Sequence, residues 1–221
     1  MDDKKICIIA CVNNDRYWDE CCYYLSQLYI PDGYDIDLLE IRDAKSMCAG
    51  YNEAMEGSDA RIKIYLHQDV FITDRYFLAE VVEIFENDPG VGMIGLAGNI
   101  KLPSDGVVWH GERIHSIYSQ TNMDRDSLRE KAVYDPGKIK DVEAVDGLLI
   151  ATSTDIRWRE DLFTGWDFYD VSQAREFIKA GKRVVVPVYN RPFAVHDDGM
   201  VLNLSAYDKY RKIFLKEYYG E

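Results

Sequence analysis

The sequence has no apolar run longer than a β-strand, no low-complexity tract, no internal repeat and no block of like charges. A helix that crosses a bilayer needs about 20 mostly apolar residues, so no segment is expected to span a membrane. The N-terminal residues also lack the basic segment followed by an apolar segment that marks a secretory signal peptide. These absences predict a globular protein of the cytoplasm.

Cysteines are few, and their number and spacing exclude two common uses. The five thiols are odd in number, lie in the first quarter of the 221 residues and fall within apolar runs. This pattern is typical of reduced, mostly buried cysteine rather than of a disulfide framework, and no pair has the spacing of a zinc site. A reducing compartment is therefore expected, and the cysteines receive no chemical role.

Basic residues are fewer than acidic residues in this chain. The chain has 26 lysine and arginine residues against 39 aspartate and glutamate residues, which gives a formal net charge of −13. Such a charge argues against binding to the phosphates of a nucleic acid. It also disfavours a polyanionic small substrate unless a bound cation or local basic groups offset the repulsion. If the protein handles a diphosphate, a divalent metal ion is therefore expected beside it.

The glycine-containing motifs of nucleotide and ester chemistry are also missing. The first predicted β–α joint, Asn13-Asn14-Asp15-Arg16, has no Gly-x-Gly-x-x-Gly, and the chain contains neither a Gly-Lys-Ser/Thr phosphate loop nor a Gly-x-Ser-x-Gly elbow. These absences disfavour a dinucleotide-binding domain, a P-loop enzyme and an α/β-hydrolase. A nucleotidyltransferase is disfavoured too, because it would need a glycine-rich basic loop at this joint to hold a triphosphate.

What the chain does contain is an alternation of strand-like and helix-like segments with short joints. The strands predicted in the first half are residues 5–12, 34–41, 62–66 and 91–97. Helices are predicted to follow Asp15, Ser46 and Thr73-Asp74, with Asp15 and Ser46 as N-caps. The alternation predicts parallel strands joined by right-handed crossovers, and hence an α/β fold.

The alternation breaks after Gly98. Residues 101–140 are polar and weakly periodic, which predicts an inserted, lid-like region containing a hairpin rather than a separate domain. Order resumes with predicted strands at residues 142–151 and 183–188 and predicted helices at residues 170–180 and 206–219. The chain is therefore interpreted as a single domain over residues 1–221 with one insert.

The third predicted strand ends in side chains that can bind a metal ion, His67-Gln68-Asp69. In open α/β sheets, ligands bind beyond the carboxyl ends of the strands. Residues two apart on an extended backbone point to the same side, so His67 and Asp69 can converge on one cation or one phosphate. The alternative is that Asp69 only caps the helix that follows.

Further polar clusters lie beside other predicted elements. They comprise residues 13–15 after the first strand, residues 40–43 after the second, residues 166–170 before a helix and residues 196–199 after the last strand. An acidic group after the second strand commonly meets a ribose in doubly wound folds. Carboxylates and imidazoles in these positions suit a nucleoside diphosphate held through a divalent cation.

The order of these segments resembles the family 2 glycosyltransferases of the GT-A fold, especially a short bacterial branch linked to capsule and surface-polysaccharide synthesis. The matching segments are the first strand, residues 46–54, 65–70, 145–147, 163–170 and 180–187, and His196. The resemblance covers nearly the whole chain and is weakest over residues 101–140. It implies a GT-A, Rossmann-like sandwich with a mostly parallel central sheet.

The resemblance also implies an activity. A member of this family transfers a sugar from a nucleoside diphosphate-sugar to a hydroxyl group with inversion, as a hexosyltransferase would, with Mn²⁺ or Mg²⁺ as cofactor. The acceptor is a glycan, a lipid-linked molecule or a protein, and peripheral association with the inner face of the membrane is left open. The C-terminal tyrosines suit a homodimer contact as well as packing on the body. The alternative is a catalytically degenerate domain that binds a nucleotide-sugar, a glycan or a partner enzyme.

Carried over residue by residue, the resemblance places the cation at Asp69. His67 stands where the more usual member has an aspartate, and a neutral imidazole can still bind a metal although it adds no charge. His196 either completes the metal ligands or is an ordinary hydrogen-bonded histidine. Asp170, or failing that Asp167, matches the carboxylate that takes the proton of the acceptor hydroxyl, and the other of the two is then read as a helix N-cap.

The resemblance implies two further groups of site residues. Candidates for contacts to the nucleotide-sugar are Asn13, Glu40, Asp43, Asn52 and Gln68. A turn or a surface ion pair explains several of them equally well. Candidates for the acceptor or its sugar ring are Trp166, Asp146 and Gly147. An aromatic face matches the C–H face of a pyranose, and Trp166 is better placed for this than Trp109, which is expected to pack in the core.

Overall fold

The computed structural model describes residues 1–119, 139–188, 192–197 and 204–220. The strands in chain order are β1 (Asp2–Val12), β2 (Asp35–Arg42), β3 (Ala60–His67), β4 (Val70–Ile72), β5 (Val91–Gly95), β6 (Ala97–Asn99), β7 (Arg113–His115), β8 (Ile117–Ser119), β9 (Ile139–Asp141), β10 (Ala144–Val145), β11 (Leu149–Thr152), β12 (Arg183–Pro187) and β13 (Ala194–His196). The helices are α1 (Asp15–Leu25), α2 (Met47–Gly57), α3 (Phe77–Asn87), α4 (Tyr169–Lys179) and α5 (Tyr207–Tyr219).

Seven strands form the main sheet, in the order β2-β1-β3-β11-β5-β12-β9. β1 is parallel to β2 and β3, and β5 is parallel to β12. β11 runs antiparallel to both of its neighbours, β3 and β5, and β9 is antiparallel to β12. Five strands therefore point one way and two the other, which confirms the predicted α/β fold with a mostly parallel sheet.

Apolar side chains cover both faces of this sheet. Along β1, Ile6, Ile8 and Ala10 join one buried cluster, whereas Cys7 and Ile9 join another. This alternation follows from the two-residue period of a strand. The first cluster includes buried residues of α1 and α3, and the second includes buried residues of α2, α4 and α5. Helices on both faces explain why the strands read as continuous apolar runs.

Two three-stranded sheets, β10-β6-β7 and β4-β13-β8, lie beside the main sheet. In the second of them, β13 pairs antiparallel with β4 so that His196 lies opposite Val70. This pairing brings residues 194–196 back to the segment that follows β3. Because β4 follows Asp69, the alternative that Asp69 caps a helix is wrong.

The observed N-cap agrees with the N-cap predicted from the sequence for helix α2, but not for helix α1. Ser46 is the N-cap of α2, as predicted, and its hydroxyl accepts the N–H of Ala49. The N-cap of α1 is Asn14 rather than Asp15, because the Asn14 side chain accepts the N–H groups of Arg16 and Tyr17. Asp15 becomes the first helical residue, where a carboxylate favours the positive end of the helix.

The starts of α3 and α4 are also corrections. Helix α3 begins at Phe77, since the Asp74 carboxylate accepts the N–H of Tyr76 in a local turn and does not cap the helix. At α4, neither Asp167 nor Asp170 is the N-cap. That position is Phe168, which has a left-handed φ of 62° and makes no side-chain cap hydrogen bond. Both carboxylates are thus free of the capping role that one of them was expected to have.

Two predicted strands are interrupted. The predicted strand at residues 91–97 divides into β5 and β6, and that at residues 142–151 divides into β10 and β11. In both cases the first and second halves belong to different sheets. Part of the predicted insert forms β7 and β8, whereas residues 120–138 lie outside the described residues. The insert and the single-domain division therefore stay predictions.

Candidate functional site

His67, Asp69 and His196 come together at the carboxyl end of β3. One potential ligand atom from each residue lies within 4.8 Å of the corresponding atoms of the other two. Asp69 Oδ1 is 3.4 Å from His196 Nε2, and the two imidazole ring centroids are 5.6 Å apart. The pairing of β13 with β4 brings His196 here, although it is remote from Asp69 in the sequence. The three residues are called the His–Asp–His cluster below.

The chemistry of the His–Asp–His cluster fits a divalent cation. Asp69 Oδ1 is buried and has no hydrogen-bond partner among the described residues, and the nearby His196 Nε2 lies at an ion-pair distance of 3.4 Å. A buried carboxylate oxygen without a partner is costly unless a cation or water satisfies it. Two imidazoles and one carboxylate are a common ligand set for a transition-metal ion. The orphaned oxygen is the observation that supports metal binding.

The protonation states in the cluster suit the same role. Burial, together with the nearby His196, lowers the pKa of His67 to about 4. For Asp69, burial acts to raise the pKa, but the interactions with His196 and His67 outweigh it and the pKa is lowered. At neutral pH the cluster therefore offers an unprotonated imidazole and an ionised carboxylate, the forms that bind metal ions.

Tyr169 and Asp170 open helix α4 and face the cluster and a neighbouring turn. The Tyr169 hydroxyl oxygen lies 2.5 Å from His67 Nε2. Asp170 Oδ2 accepts the N–H of Gly147 over 2.8 Å, and its Oδ1 accepts the N–H of Val171 over 2.8 Å. Tyr169 thus contacts a histidine of the His–Asp–His cluster, and the next residue of the same helix is a carboxylate with both oxygens hydrogen-bonded.

The Asp170 carboxylate is held in an environment that favours its protonated form. Burial, and next the charge of Asp146, raise the pKa of Asp170 to about 7, although the backbone hydrogen bonds from Val171 and Gly147 act in the opposite direction. A carboxylate with a pKa close to neutral is suited to accept a proton. Burial also raises the pKa of Asp167. Asp170 differs from Asp167 in having both oxygens fixed by backbone N–H groups.

Gln68 and Asn13 lie together beside this edge of the sheet. Gln68 Nε2 donates to Asn13 Oδ1 over 2.6 Å, and Gln68 Oε1 accepts the N–H groups of Asn13 and Asn14, each over 2.9 Å. The structure therefore brings together two residues that the resemblance assigns to the nucleotide-sugar. Their side chains also stabilise the turn between β1 and α1.

Glu40 and Asp43 lie at and just beyond the end of β2. Glu40 accepts a hydrogen bond from Arg42 over 3.1 Å, and Arg42 also pairs with Asp15 over 2.8 Å. Asp43 has a left-handed φ of 57°. Both residues are at the same edge of the sheet as His67, as expected for parallel strands, but each also has a local structural role.

Asn52 requires a correction. Its side chain is only 2% exposed, and it donates to the carbonyl of Trp158 over 3.0 Å while it accepts the Trp158 N–H over 2.9 Å. Both functional groups of the amide are used inside the protein, so neither is available to a nucleotide. Asn52 holds the loop that contains Trp158 against helix α2.

The exposure of Trp166 and Trp109 differs in part from the expectation. Trp166 is 51% exposed, which agrees with a surface that could contact a sugar ring. Trp109, which was expected in the core, is 46% exposed and packs against Tyr207 with ring centroids 4.8 Å apart. The expectation for Trp109 was wrong because its apolar surroundings come from helix α5, whereas its other face is open to solvent.

Asp146 and Gly147 form the turn between β10 and β11. Asp146 Oδ2 lies 3.5 Å from Arg113 Nη2, and its Oδ1 accepts the N–H of Leu148 over 3.3 Å. A side chain at Gly147 would meet Tyr169, since an added Cβ would be 1.9 Å from the hydroxyl oxygen. Glycine at this position is therefore required by packing.

A cavity of 760 Å³ opens near the start of α2. It is lined by Lys45, Ser46, Ala49, Arg157, Trp158, Arg159, Glu160, Asp161 and Thr164. The Met47 N–H donates to the Gly165 carbonyl over 3.0 Å, so helix α2 and the segment before Trp166 meet beside it. The His–Asp–His cluster does not line this cavity.

A sequence profile described as "Glycosyltransferase like family" matches residues 7–218. The chain belongs to this glycosyltransferase-like family. A search of curated proteins by sequence found no match.

Solved structures share the fold of this glycosyltransferase-like protein. The mannosyltransferase PcManGT from Pyrobaculum calidifontis, in complex with GDP-Man and Mn²⁺, is 13% identical with a TM-score of 0.57, over 94% of this chain and 60% of that chain. S. aureus TarS 1-349 in complex with UDP is 10% identical with a TM-score of 0.57, over 95% of this chain and 64% of that chain. The complex of TarS 1-349 with UDP-GlcNAc gives 9% identity and a TM-score of 0.55, over 92% and 61% of the two chains. The chain thus spans about 60% of the length of these proteins, and the predicted GT-A fold is confirmed.

Two residues of this family member that contact the site were missed by reasoning from sequence. Tyr169 was noted only as part of a matching segment, and Arg113 falls in a stretch without clear periodicity. The position of Tyr169 directly before Asp170 was a signal that could have been used. For Arg113 no local signal existed, because its approach to Asp146 depends on the pairing of β7 with β6 and of β6 with β10.

The helices of this glycosyltransferase-like protein are short. The longest in the described part of the chain, α5, has 13 residues, and none there combines the length and apolar character that a membrane crossing requires.

Proposed function

We propose that this protein transfers a sugar from a nucleoside diphosphate-sugar to a hydroxyl group of an acceptor, with inversion at the anomeric carbon. One observation carries the proposal: the His–Asp–His cluster and the Asp170 carboxylate lie at one edge of the sheet, linked through Tyr169 and Gly147, in a chain of the glycosyltransferase-like family. A cation site and a proton acceptor are the two devices that such a transfer needs.

The donor end of the site is assigned to His67, Asp69 and His196, which would hold Mn²⁺ or Mg²⁺. When bound, the cation offsets the charge of the diphosphate and stabilises it as a leaving group. This matters in a chain whose formal net charge is −13. The solved relatives with GDP-Man and Mn²⁺, UDP and UDP-GlcNAc support a nucleoside diphosphate-sugar as the donor class.

Asn13, Gln68, Glu40 and Asp43 are proposed to surround the nucleotide. They follow β1, β2 and β3 at the carboxyl edge of the sheet, where ligands of open α/β folds bind. Asn13 is exposed beside the Gln68 side chain, which stabilises its conformation. Asn52 is left out of this group because its amide is fully used by Trp158.

Asp170 is proposed as the general base. Its two oxygens are oriented by the N–H groups of Gly147 and Val171, and its pKa of about 7 leaves a large ionised fraction at neutral pH. The carboxylate takes the proton of the acceptor hydroxyl as the oxygen attacks the anomeric carbon on the side opposite the diphosphate. Asp167 is the alternative base, since burial also raises its pKa.

Trp166, Asp146 and Gly147 are proposed to contact the acceptor, as the resemblance implies. Trp166 is exposed on the segment that also supplies Thr164 to the 760 Å³ cavity, a volume typical of small-ligand sites. An aromatic face suits a pyranose ring, which favours a glycan, whether free, lipid-linked or on a protein. The resemblance to the capsule-associated branch makes surface-polysaccharide synthesis the proposed setting.

A second candidate is a catalytically degenerate domain that binds a nucleotide-sugar without transferring it. The observation that favours it is His67, a neutral imidazole at the place where a second carboxylate would add charge for the metal. A weaker cation site would permit donor binding and slow the chemistry.

Isothermal titration with a panel of UDP- and GDP-sugars in the presence of Mn²⁺ tests the proposal. Binding of at least one donor, lost when EDTA removes the metal, is expected. Release of free UDP or GDP from that donor then separates the enzyme from the degenerate domain. If folded protein binds none of the donors, the proposed function is wrong; if it binds one and never releases nucleotide, the second candidate is correct.

A further inference from the structure

Tyr169 is the residue that connects the His–Asp–His cluster to helix α4. Its side chain is 3% exposed, and its hydroxyl oxygen is 2.5 Å from His67 Nε2. Its ring packs in an aromatic group with Tyr51 and Trp158, at centroid distances of 6.0 and 6.1 Å. A tyrosine so confined cannot change rotamer without disturbing the core, so the hydroxyl stays in place.

The backbone of Gly147 lies against the same hydroxyl. An added Cβ at Gly147 would lie 1.9 Å from the Tyr169 hydroxyl oxygen and 2.3 Å from Cζ, which shows how closely the backbone approaches the phenol. The N–H of Gly147 also donates to Asp170 Oδ2 over 2.8 Å. One glycine therefore contacts the tyrosine that meets His67 and orients the neighbouring carboxylate.

An imidazole binds a cation only through a ring nitrogen that carries no proton. Because Nε2 of His67 is engaged by Tyr169, Nδ1 is the nitrogen left for a cation. In the cation-bound protein the ring proton must then be on Nε2, and a tyrosine oxygen can accept it. Metal-binding histidines commonly need such a partner for the other ring nitrogen.

We propose that Tyr169 is a positioning residue for the metal site: it holds the His67 ring by Nε2 and thereby assigns Nδ1 to the cation, with Gly147 keeping the phenol in place. The inference rests on the proposed function for the use of the cation, but not for the contact itself. Under this inference two consecutive residues serve the same reaction: Tyr169 orients the His–Asp–His cluster, and Asp170 is the candidate base.

Manganese affinity tests the inference directly. Electron paramagnetic resonance with Mn²⁺ alone should show binding by the unaltered protein and at least about tenfold weaker binding by Tyr169→Phe, since loss of such a partner typically costs about 10–100-fold in metal affinity. Tyr210→Phe is the matched control, because it removes another buried tyrosine hydroxyl with one side-chain partner, Thr164 at 3.2 Å. Tyr210→Phe should bind Mn²⁺ as the unaltered protein does.

The ring signals of the histidines give a second readout that needs no metal and no substrate. The chain has four histidines, so ¹⁵N-histidine labelling gives a simple spectrum, and His67→Gln assigns the His67 signals. In metal-free protein, Tyr169→Phe should shift the His67 Nε2 signal and Tyr210→Phe should not. With Zn²⁺ bound, a diamagnetic ion that imidazole nitrogens coordinate well, His67 should carry its proton on Nε2.

Each contrary result is specific. Any of four results overturns the inference: unchanged Mn²⁺ affinity in Tyr169→Phe, equal weakening in both variants, no Mn²⁺ binding by the unaltered protein, or a proton on Nδ1 of Zn²⁺-bound His67. Failure of the proposed transfer is different: Mn²⁺ binds and depends on Tyr169, but no nucleotide-sugar binds, and then the positioning role stands.

Discussion

The backbone N–H of Gly147 donates a hydrogen bond to Asp170 over 2.8 Å, although the two residues lie 23 positions apart in the chain. The bond joins the turn between β10 and β11 to the first turn of α4. It holds one carboxylate oxygen towards the carboxyl edge of the sheet, while the adjacent Tyr169 reaches His67. The proposed proton acceptor and the proposed metal site therefore share one structural support.

Replacement of Asp170 by Asn should remove transfer and spare donor binding. The amide cannot accept the acceptor proton, and loss of a general base typically costs about 10²–10⁴-fold in rate. Turnover and donor affinity should be measured on the same preparation, with Asp167→Asn as the control. Full turnover by Asp170→Asn, together with loss of turnover in Asp167→Asn, would move the base to Asp167.

The pH profile should report the Asp170 carboxyl. Because only the ionised form accepts a proton and the pKa is raised to about 7, kcat/KM should be level above that pH and fall below it, by about tenfold for each further pH unit. Initial rates at a series of pH values in buffers of constant ionic strength give this limb. A profile that stays level from pH 8 down to pH 5 would contradict the assignment.

Asp146→Asn should shift that acid limb to lower pH. The negative charge of Asp146 is the second cause, after burial, of the raised pKa of Asp170, so its removal makes ionisation easier. Asp167→Asn serves as the comparison, since Asp167 is not among the groups that raise the pKa of Asp170. The limb should stay in place in that variant, and equal shifts in both would point to a general effect of net charge.

Asp69→Ala should abolish metal-dependent donor binding. The variant removes the carboxylate of the His–Asp–His cluster, and the two histidines that remain add no negative charge at neutral pH. Titration with the donor in the presence of Mn²⁺, and again after EDTA, should give the same weak or absent signal. Asp105→Ala is a suitable control because it also removes an aspartate paired with a histidine, His110, at 2.8 Å on the surface. Retention of Mn²⁺-dependent binding by Asp69→Ala would rule out the cluster as the metal site.

Asn52→Ala should destabilise the fold without a specific effect on nucleotide binding. It leaves the buried N–H of Trp158 without a partner, which costs about 1–3 kcal/mol, whereas the Trp158 C=O still accepts the N–H of Glu160. Urea unfolding followed by circular dichroism measures the loss. Asn13→Ala, at an exposed position, should change the free energy of unfolding far less. A stable Asn52→Ala with weakened donor binding would restore the nucleotide role that the resemblance gives to Asn52.

Local signals predicted the parts of the fold that local chemistry controls. Ser46 could be identified as an N-cap because a serine hydroxyl directly before a helix commonly accepts a backbone N–H of the first helical turn. The strands at the start of the chain could be identified because sheets covered on both faces need continuous apolar runs. The gathering of polar residues at the carboxyl edge of the sheet followed from the same parallel topology.

The remaining features of the fold and the site depend on pairing between distant strands. Local sequence patterns do not show which distant strands pair. The place of β11 between β3 and β5 depends on partners far away in the chain. Asn52 was assigned to a ligand, but its partner is a backbone 106 positions further on. His196 reaches Asp69 only because β13 pairs with β4, a contact that the resemblance suggested and periodicity could not.

The central place of β11 has a consequence for how the chain reaches its native state. β11 is the fourth strand of seven across the sheet, yet it is made after β1, β2, β3 and β5. Until residue 152 has left the ribosome, the edge of β3 that later pairs with β11 has backbone N–H and C=O groups without a partner strand. Nascent or truncated chains are therefore expected to aggregate, since unpaired strand edges form hydrogen bonds with one another. Pulse proteolysis of stalled chains that end before and after β11 would detect the point at which protection begins.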